Sequence, residues 1–201
     1  MPNFEINPTL RAYLSKKGFD LIESFDDFGE LRNHISEQVM RVYSIDEPYQ
    51  INSGYCFIWA FLCSLYSPEF TLVSCSSHAV VKFGGYHWDH KGSYTNEWWE
   101  PVEQTPAQFV AYWEKCGRQK KEIRKLTPAL PRKEKLRLRM YRKLVKRPGL
   151  SFVNYINIFH QADRGESKKN LLAWKSPREY DQQQSKQPGA VACQEVSLAS
   201  Y

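Results

Sequence analysis

The chain reads as an α+β protein, with helices packed on an antiparallel sheet. Three observations predict this. Apolar residues recur every three or four positions from Phe28 to Val42, the spacing of a one-sided helix. The run from Cys56 to Tyr66 is nearly all apolar, which at that length fits a helix buried on most sides. Two strand-like stretches are joined by Gly84-Gly85, a two-residue hairpin signal.

The elements follow in order. Asn7-Pro8 ahead of Leu10, Tyr13 and Leu14, with Gly18 beyond, predicts a short capped helix. Asp26 is expected to open a longer one carrying Phe28, Leu31, Ile35, Val39 and Val42. Ser44 to Asn52 breaks that pattern and contains Pro48. After the apolar helix, bounded by Gly54 and Pro68, Phe70–Ser76 and His78–Phe83 read as strands, and Tyr86–Asp89 as the return arm of the hairpin. Thr105-Pro106-Ala107-Gln108 fits a capping box with proline at the first helical position. Phe109, Tyr112, Trp113 and Cys116 continue it at helical spacing, and Gly117 stops it. Pro131 to Pro148 predicts a basic helix with Leu136, Met140, Tyr141, Leu144 and Val145 on one face. Ser151–Phe159 reads as a further strand. From Ser176 the chain is polar and Gln-rich, as expected of an arm or disordered tail.

At 201 residues the chain fits one domain with an appendage. No apolar run approaches the roughly 18 residues of a membrane span, so no transmembrane segment is expected. The opening Met-Pro-Asn-Phe-Glu has neither the basic nor the apolar region of a signal peptide. Five cysteines, an odd number, then favour free thiols over a disulfide frame, and a cytoplasmic location. A chain packed into a virus particle would look the same.

The net charge of +6 is segregated. Residues 1–114 carry 7 Lys/Arg against 15 Asp/Glu, whereas residues 115–148 carry 15 against 2. The expected organisation is therefore a core with N-terminal helices over 1–114, a basic helical segment over 115–148, a strand and helix returning to the core over 149–175, and a tail over 176–201. So concentrated a positive potential attracts polyanions such as nucleic acid, or acidic protein surfaces. The candidate residues are Arg132, Lys133, Lys135, Arg137, Arg139, Arg142, Lys143, Lys146 and Arg147.

The stretch from Gln50 to Gly92 carries the chemistry. Cys56 stands at the expected start of the buried helix, where amide groups and the macrodipole stabilise an anion and so ease thiol ionisation. His78 and Asp89 fall on opposite arms of the hairpin. With Gly84-Gly85 as the loop, Phe83 faces Tyr86, and Asp89 becomes a diagonal same-face neighbour of His78. A carboxylate so placed fixes an imidazole tautomer and stabilises its cation.

These residues resemble the papain-like and transglutaminase-like (NlpC/P60-type) cysteine hydrolases. Gln-Ile-Asn-Ser-Gly-Tyr-Cys-Phe-Ile-Trp-Ala-Phe is similar to the papain-type glutamine-to-cysteine segment, and His78 to Asp89 resembles the superfamily's histidine strand, turn and aspartate strand. The resemblance implies a papain-like core with the nucleophile on a central helix against an antiparallel sheet. It implies Cys56 as nucleophile, His78 as base and acid, Asp89 as orienter, and Gln50 or Asn52 as helper to the Cys56 amide in holding an oxyanion. No cofactor is implied, and the substrate would be a protein or peptide-like amide or ester. The pattern departs from papain in its short Cys-to-His spacing and in an Asp third member. The compact size is similar to virus- and phage-encoded members.

Other readings stand beside this one. Cys75-x-x-His78 with His87-x-x-His90 offers four ligand types for zinc, although both pairs would have to lie in turns. Trp98-Trp99-Glu100, with Trp88 and Tyr94, would line a cleft or a core edge. Cys63 and Cys75 read as core residues, and His34 and His160 as structural or surface ones. The alternative to an enzyme is a non-catalytic scaffold of the same fold, held to nucleic acid or to a larger particle by its basic helix.

Overall fold

A computed structural model describes residues 3–75, 77–94, 101–116, 120–144 and 152–165. The expected Trp98-Trp99-Glu100 cleft, Gly117, Val145, Lys146, Arg147 and the polar tail lie outside the described residues. The architecture is α+β. A two-residue strand β1 (Phe4–Glu5) pairs antiparallel with β2 (Ser24–Phe25), and between them runs α1 (Pro8–Ser15). Asn7 caps α1, its side chain accepting from the amides of Thr9 and Leu10 at 3.0 and 3.3 Å. The long helix α2 (Phe28–Tyr43) is capped by Asp27, not the expected Asp26; Asp27 accepts from the Glu30 amide. Ser44, left-handed at φ 51°, ends it.

A 3₁₀ turn, Pro48–Ile51, leads into α3 (Cys56–Cys63). All eight α3 residues are buried, as its unbroken apolar run requires. A helix apolar on every side is stable only when wrapped by protein. Here α2 lies on one side, where the Trp59 indole donates to Ser36 at 3.0 Å, and the sheet on another.

The sheet contains β3 (Thr71–Ser74), β4 (Ala79–Phe83), β5 (Tyr86–Asp89), β6 (Gly92–Ser93) and β7 (Val102–Gln104). Its order is β6-β5-β4-β3-β7, every pair antiparallel. The β4–β5 register is Phe83 opposite Tyr86, as the Gly-Gly loop predicts. Gly84 and Gly85 adopt φ of 58° and 82°, the left-handed pair that a two-residue hairpin turn needs. Phe83 of the hairpin clusters with Phe4, Phe28 and Phe70, in which Phe4 and Phe70 stack, and the Trp88 ring lies 5.4 Å from Phe28.

The remaining helices are α4 (Pro106–Cys116), α5 (Lys120–Leu126), α6 (Arg132–Leu144) and α7 (Phe152–Asp163). The capping box at α4 is reciprocal: Thr105 N donates to Gln108 Oε1 and Gln108 N to Thr105 Oγ1, at 3.0 and 3.3 Å. Two expectations are corrected here. Residues 152–159 are helical, not a strand. Their β-branched residues suit a strand locally, but Tyr155, Ile158, Phe159 and Ala162 lie at helical spacing and bury that face against Tyr112 and Tyr141. On α6 the buried face holds Glu134, Leu138, Tyr141 and Leu144, while Leu136 points to solvent. The Glu134 carboxylate turns the helix that way, accepting from the Ala107 amide at 2.9 Å. Asp163 locks α7 to its neighbours, accepting from Gln108 and from the Tyr141 hydroxyl.

Candidate active site

Cys56 is the first residue of α3. The residue before it, Tyr55, makes no side-chain cap, so side chains do not quench the opening amides or the positive end of the helix dipole. Since α3 packs on β4, its thiol comes to the start of that strand. There the β3–β4 turn closes with the Cys75 amide donating to the His78 carbonyl at 2.9 Å, and this sets His78 immediately before β4. Asp89 ends β5. The structure thus brings together Cys56, His78 and Asp89, respectively 2, 8 and 4% exposed.

His78 Nε2 faces Asp89 Oδ2 at 3.7 Å, an ion-pair separation somewhat longer than a hydrogen bond. Asp89 itself is firmly held. Oδ1 accepts from the amides of Lys91 and Gly92 at 2.8 and 3.2 Å, and Oδ2 accepts from Asn52 Nδ2 at 2.9 Å. The far side of the Asn52 amide, Oδ1, meets His90 Nδ1 at 3.0 Å. The direction of this chain follows from chemistry. A carboxylate only accepts, so the Asn52 nitrogen faces it. The Asn52 oxygen also only accepts, so His90 carries its proton on Nδ1.

Electrostatics follow this arrangement. Burial drives His78 towards its neutral form, but the Asp89 carboxylate and the Cys56 sulfur beside it outweigh burial and raise its pKa to about 9. Burial opposes ionisation of Asp89 too, yet His78, Asn52 and the Lys91 amide lower it to about 2. Burial keeps the His90 pKa below its ordinary value, although Asp89 pulls it the other way. The surroundings thus favour the protonated form of His78 and the neutral form of His90.

Gln50 lies half-buried in the 3₁₀ turn six residues before Cys56. Asn52 uses both ends of its amide on Asp89 and His90, which places it behind the carboxylate. The Tyr94 ring lies 4.8 Å from that of His78, whereas Trp88 donates to the Phe83 carbonyl and packs with Phe28, away from the thiol. Cys63 is fully buried, and burial raises its pKa well above the ordinary thiol value. Cys75 is only half-buried, against expectation, because it sits in the turn rather than in a strand. His34 Nε2 donates to the Asp20 carbonyl at 3.1 Å and His160 is exposed. Among the described residues no group of three or more His, Cys, Asp or Glu side chains is placed to hold a metal ion. His90 was legible in the sequence only as half of a zinc pair, since nothing local marks it as a partner of Asn52.

Of the basic residues, Arg137 pairs with Glu134 and Arg142 with Glu114, at 2.9 and 2.7 Å. Arg132, Lys133, Arg139 and Lys143 are exposed, and Lys135 is half-buried. No described helix is long and apolar enough to cross a membrane.

Comparison with protein-family models, with curated proteins and with solved structures returns no match to this chain. Its function is therefore read from its own residues.

Proposed function

We propose that this chain is a cysteine hydrolase or acyltransferase with a papain-like arrangement, acting on an amide or ester through Cys56, His78 and Asp89. The convergence of a helix-start thiol, an imidazole with pKa raised to about 9 and a carboxylate held by three donors supports this reading. An imidazolium beside sulfur favours the thiolate, as does a helix N-terminus.

The steps follow from these groups. The Cys56 thiolate attacks the carbonyl carbon; a carbon–sulfur bond forms and the carbonyl π pair moves to oxygen. In this reading the Cys56 amide and Gln50 stabilise that oxyanion, as the papain-type segment implies. Since Nε2 is turned to Asp89, Nδ1 of His78 is the nitrogen available to the reacting groups. It gives its proton to the departing amine or alkoxide as the intermediate collapses to a thioester. Neutral His78 then takes a proton from water or from an acceptor amine, whose attack releases the acid or the new amide and regenerates the thiolate. Asp89 stabilises the imidazolium at both stages, and Asn52 and His90 hold Asp89.

The test is to treat the folded protein with stoichiometric iodoacetamide near pH 6.5, where an ordinary thiol is only about 1% thiolate. Selective alkylation of Cys56, lost in His78→Ala, is the expected result. Slow labelling spread over several cysteines would overturn the enzyme reading and leave the scaffold reading in its place. Iodoacetamide is small enough to suit a residue that is 2% exposed.

A further inference from the structure

We propose that the outward face of α6 binds the phosphate backbone of a double-stranded nucleic acid without reading its sequence. The helix has two faces. Glu134, Leu138, Tyr141 and Leu144 are buried. Opposite them lie Arg132, Arg139 and Lys143, flanked by the exposed Lys133 and the half-buried Lys135. At about 1.5 Å rise per residue these cations extend over about 16 Å, with Lys135, Arg139 and Lys143 in one row at about 6 Å steps.

Ion pairing sorts the charges further. A helix that is merely solvated and laced with salt bridges pairs its cations with acids. Arg137 and Arg142 of α6 do so, Arg137 with Glu134 and Arg142 with Glu114, and on the neighbouring α5 Arg124 also pairs with Glu114 and Lys125 with Glu122. The other five cations of α6 make no ion pair among the described residues. Their charge is uncompensated, and a polyanion is its complement.

The composition of the face selects the polyanion. It carries no aromatic ring, so it offers no platform for stacking unpaired bases, and a duplex backbone fits better than a single strand. A helix that lies in a lipid surface dips its apolar face into the bilayer. The apolar face of α6 is already committed to the protein core, and Leu136, 57% exposed, is the one large apolar side chain that the helix exposes. The same lack of buried-anchor residues disfavours an acidic protein partner, whose interface would need aromatic or clustered apolar contacts. With its far side packed on α4, the helix can touch phosphates, but nothing on it marks a base-reading set.

The test is fluorescence anisotropy of the full chain with labelled duplexes of about 20 base pairs in two unrelated sequences, titrated at about 50 and about 200 mM salt. Five phosphate contacts predict an affinity loss of about 500-fold over that range, equal for both sequences. Lys135→Gln/Arg139→Gln/Lys143→Gln retains two of the five and should lose only about tenfold. Arg139→Glu, at an exposed position, should weaken binding by itself and serves if the triple variant fails to fold. Unchanged Cys56 alkylation shows that each variant keeps the core intact. Absence of duplex binding at low salt, or a wild-type salt slope in the variants, overturns the proposal. So does preferential binding to phosphatidylserine vesicles or to polyglutamate, which would make the face a lipid or acidic-protein surface.

Discussion

Asn52 shows how much a single amide can decide. Its nitrogen holds the carboxylate oxygen that faces His78, and its oxygen is held by His90. Without it, Oδ2 loses a charge-assisted bond of about 1.5–3 kcal/mol, and Asp89 is free to turn away from the imidazole. Asn52→Leu should therefore slow Cys56 alkylation near neutral pH by about 10- to 100-fold, measured as a rate under fixed reagent. His90→Phe removes a hydrogen bond from the half-buried Asn52 oxygen, a net loss of about 0.5–1.5 kcal/mol, and should slow alkylation only several-fold. Asp89→Asn supplies the readout that a merely structural role would not move. The alkylation rate of the wild type should change as His78 titrates near pH 9. Removing the carboxylate removes the main group raising that pKa, so the change should shift to lower pH. A profile unmoved in Asp89→Asn would mean that Asp89 does not act on His78. At this scale Cys56, His78 and Asp89 were legible because helix start, strand alternation and hairpin register are local. Asn52 was legible as a polar residue near the thiol but not as a partner of Asp89. That contact spans 37 positions and depends on how α3 meets the sheet.

The elements with their own chemical punctuation were readable. Asn7-Pro8, Thr105-Pro106-Ala107-Gln108 and Gly84-Gly85 each hold the hydrogen bonds or dihedral angles their residue types dictate. The capping box also has a testable worth: Thr105→Ala should lower stability by about 1 kcal/mol in denaturant unfolding, because the Gln108 amide loses its acceptor. A change below about 0.3 kcal/mol would mean water replaces the hydroxyl at no cost. Elements set by distant partners were less readable. The segment 152–159 is rich in β-branched residues, and only its contacts with Tyr112 and Tyr141 make it a helix. On α6 the apolar spacing allows either Leu136 or Leu138 to point inward, and the buried Glu134 settles it by capping the amide of Ala107. β1, β2, β6 and β7 are two or three residues long, too short for any alternation to show.

Across the whole molecule, pH acts through two systems that can be separated. The first is the charge segregation between an acidic N-terminal region and a basic block, which changes slowly and over the entire surface. The second is the buried pair. The folded pKa of His78, about 9, lies above its ordinary 6.5, so its contribution to stability is complete below about pH 6.5 and is lost as pH rises through 9. The folded pKa of Asp89, about 2, lies below its ordinary 3.8, so its contribution is present above about pH 3.8 and is lost as pH falls through 2. The two shifts share the His78–Asp89 interaction, beside the parts that Cys56 adds to the one and Asn52 and the Lys91 amide add to the other, and that shared interaction is whole only between about pH 4 and 6.5. Comparing the wild type with Asp89→Asn cancels the surface charges common to both. The difference in denaturation midpoint should be largest in that window, shrink towards pH 9, and shrink again below pH 4. A difference that is flat from pH 4 to 9 would show that Asp89 stabilises the fold only through Asn52 and the Lys91 and Gly92 amides. The His78–Asp89 pair would then contribute nothing to folding, and any role for it would have to lie in the chemistry at Cys56.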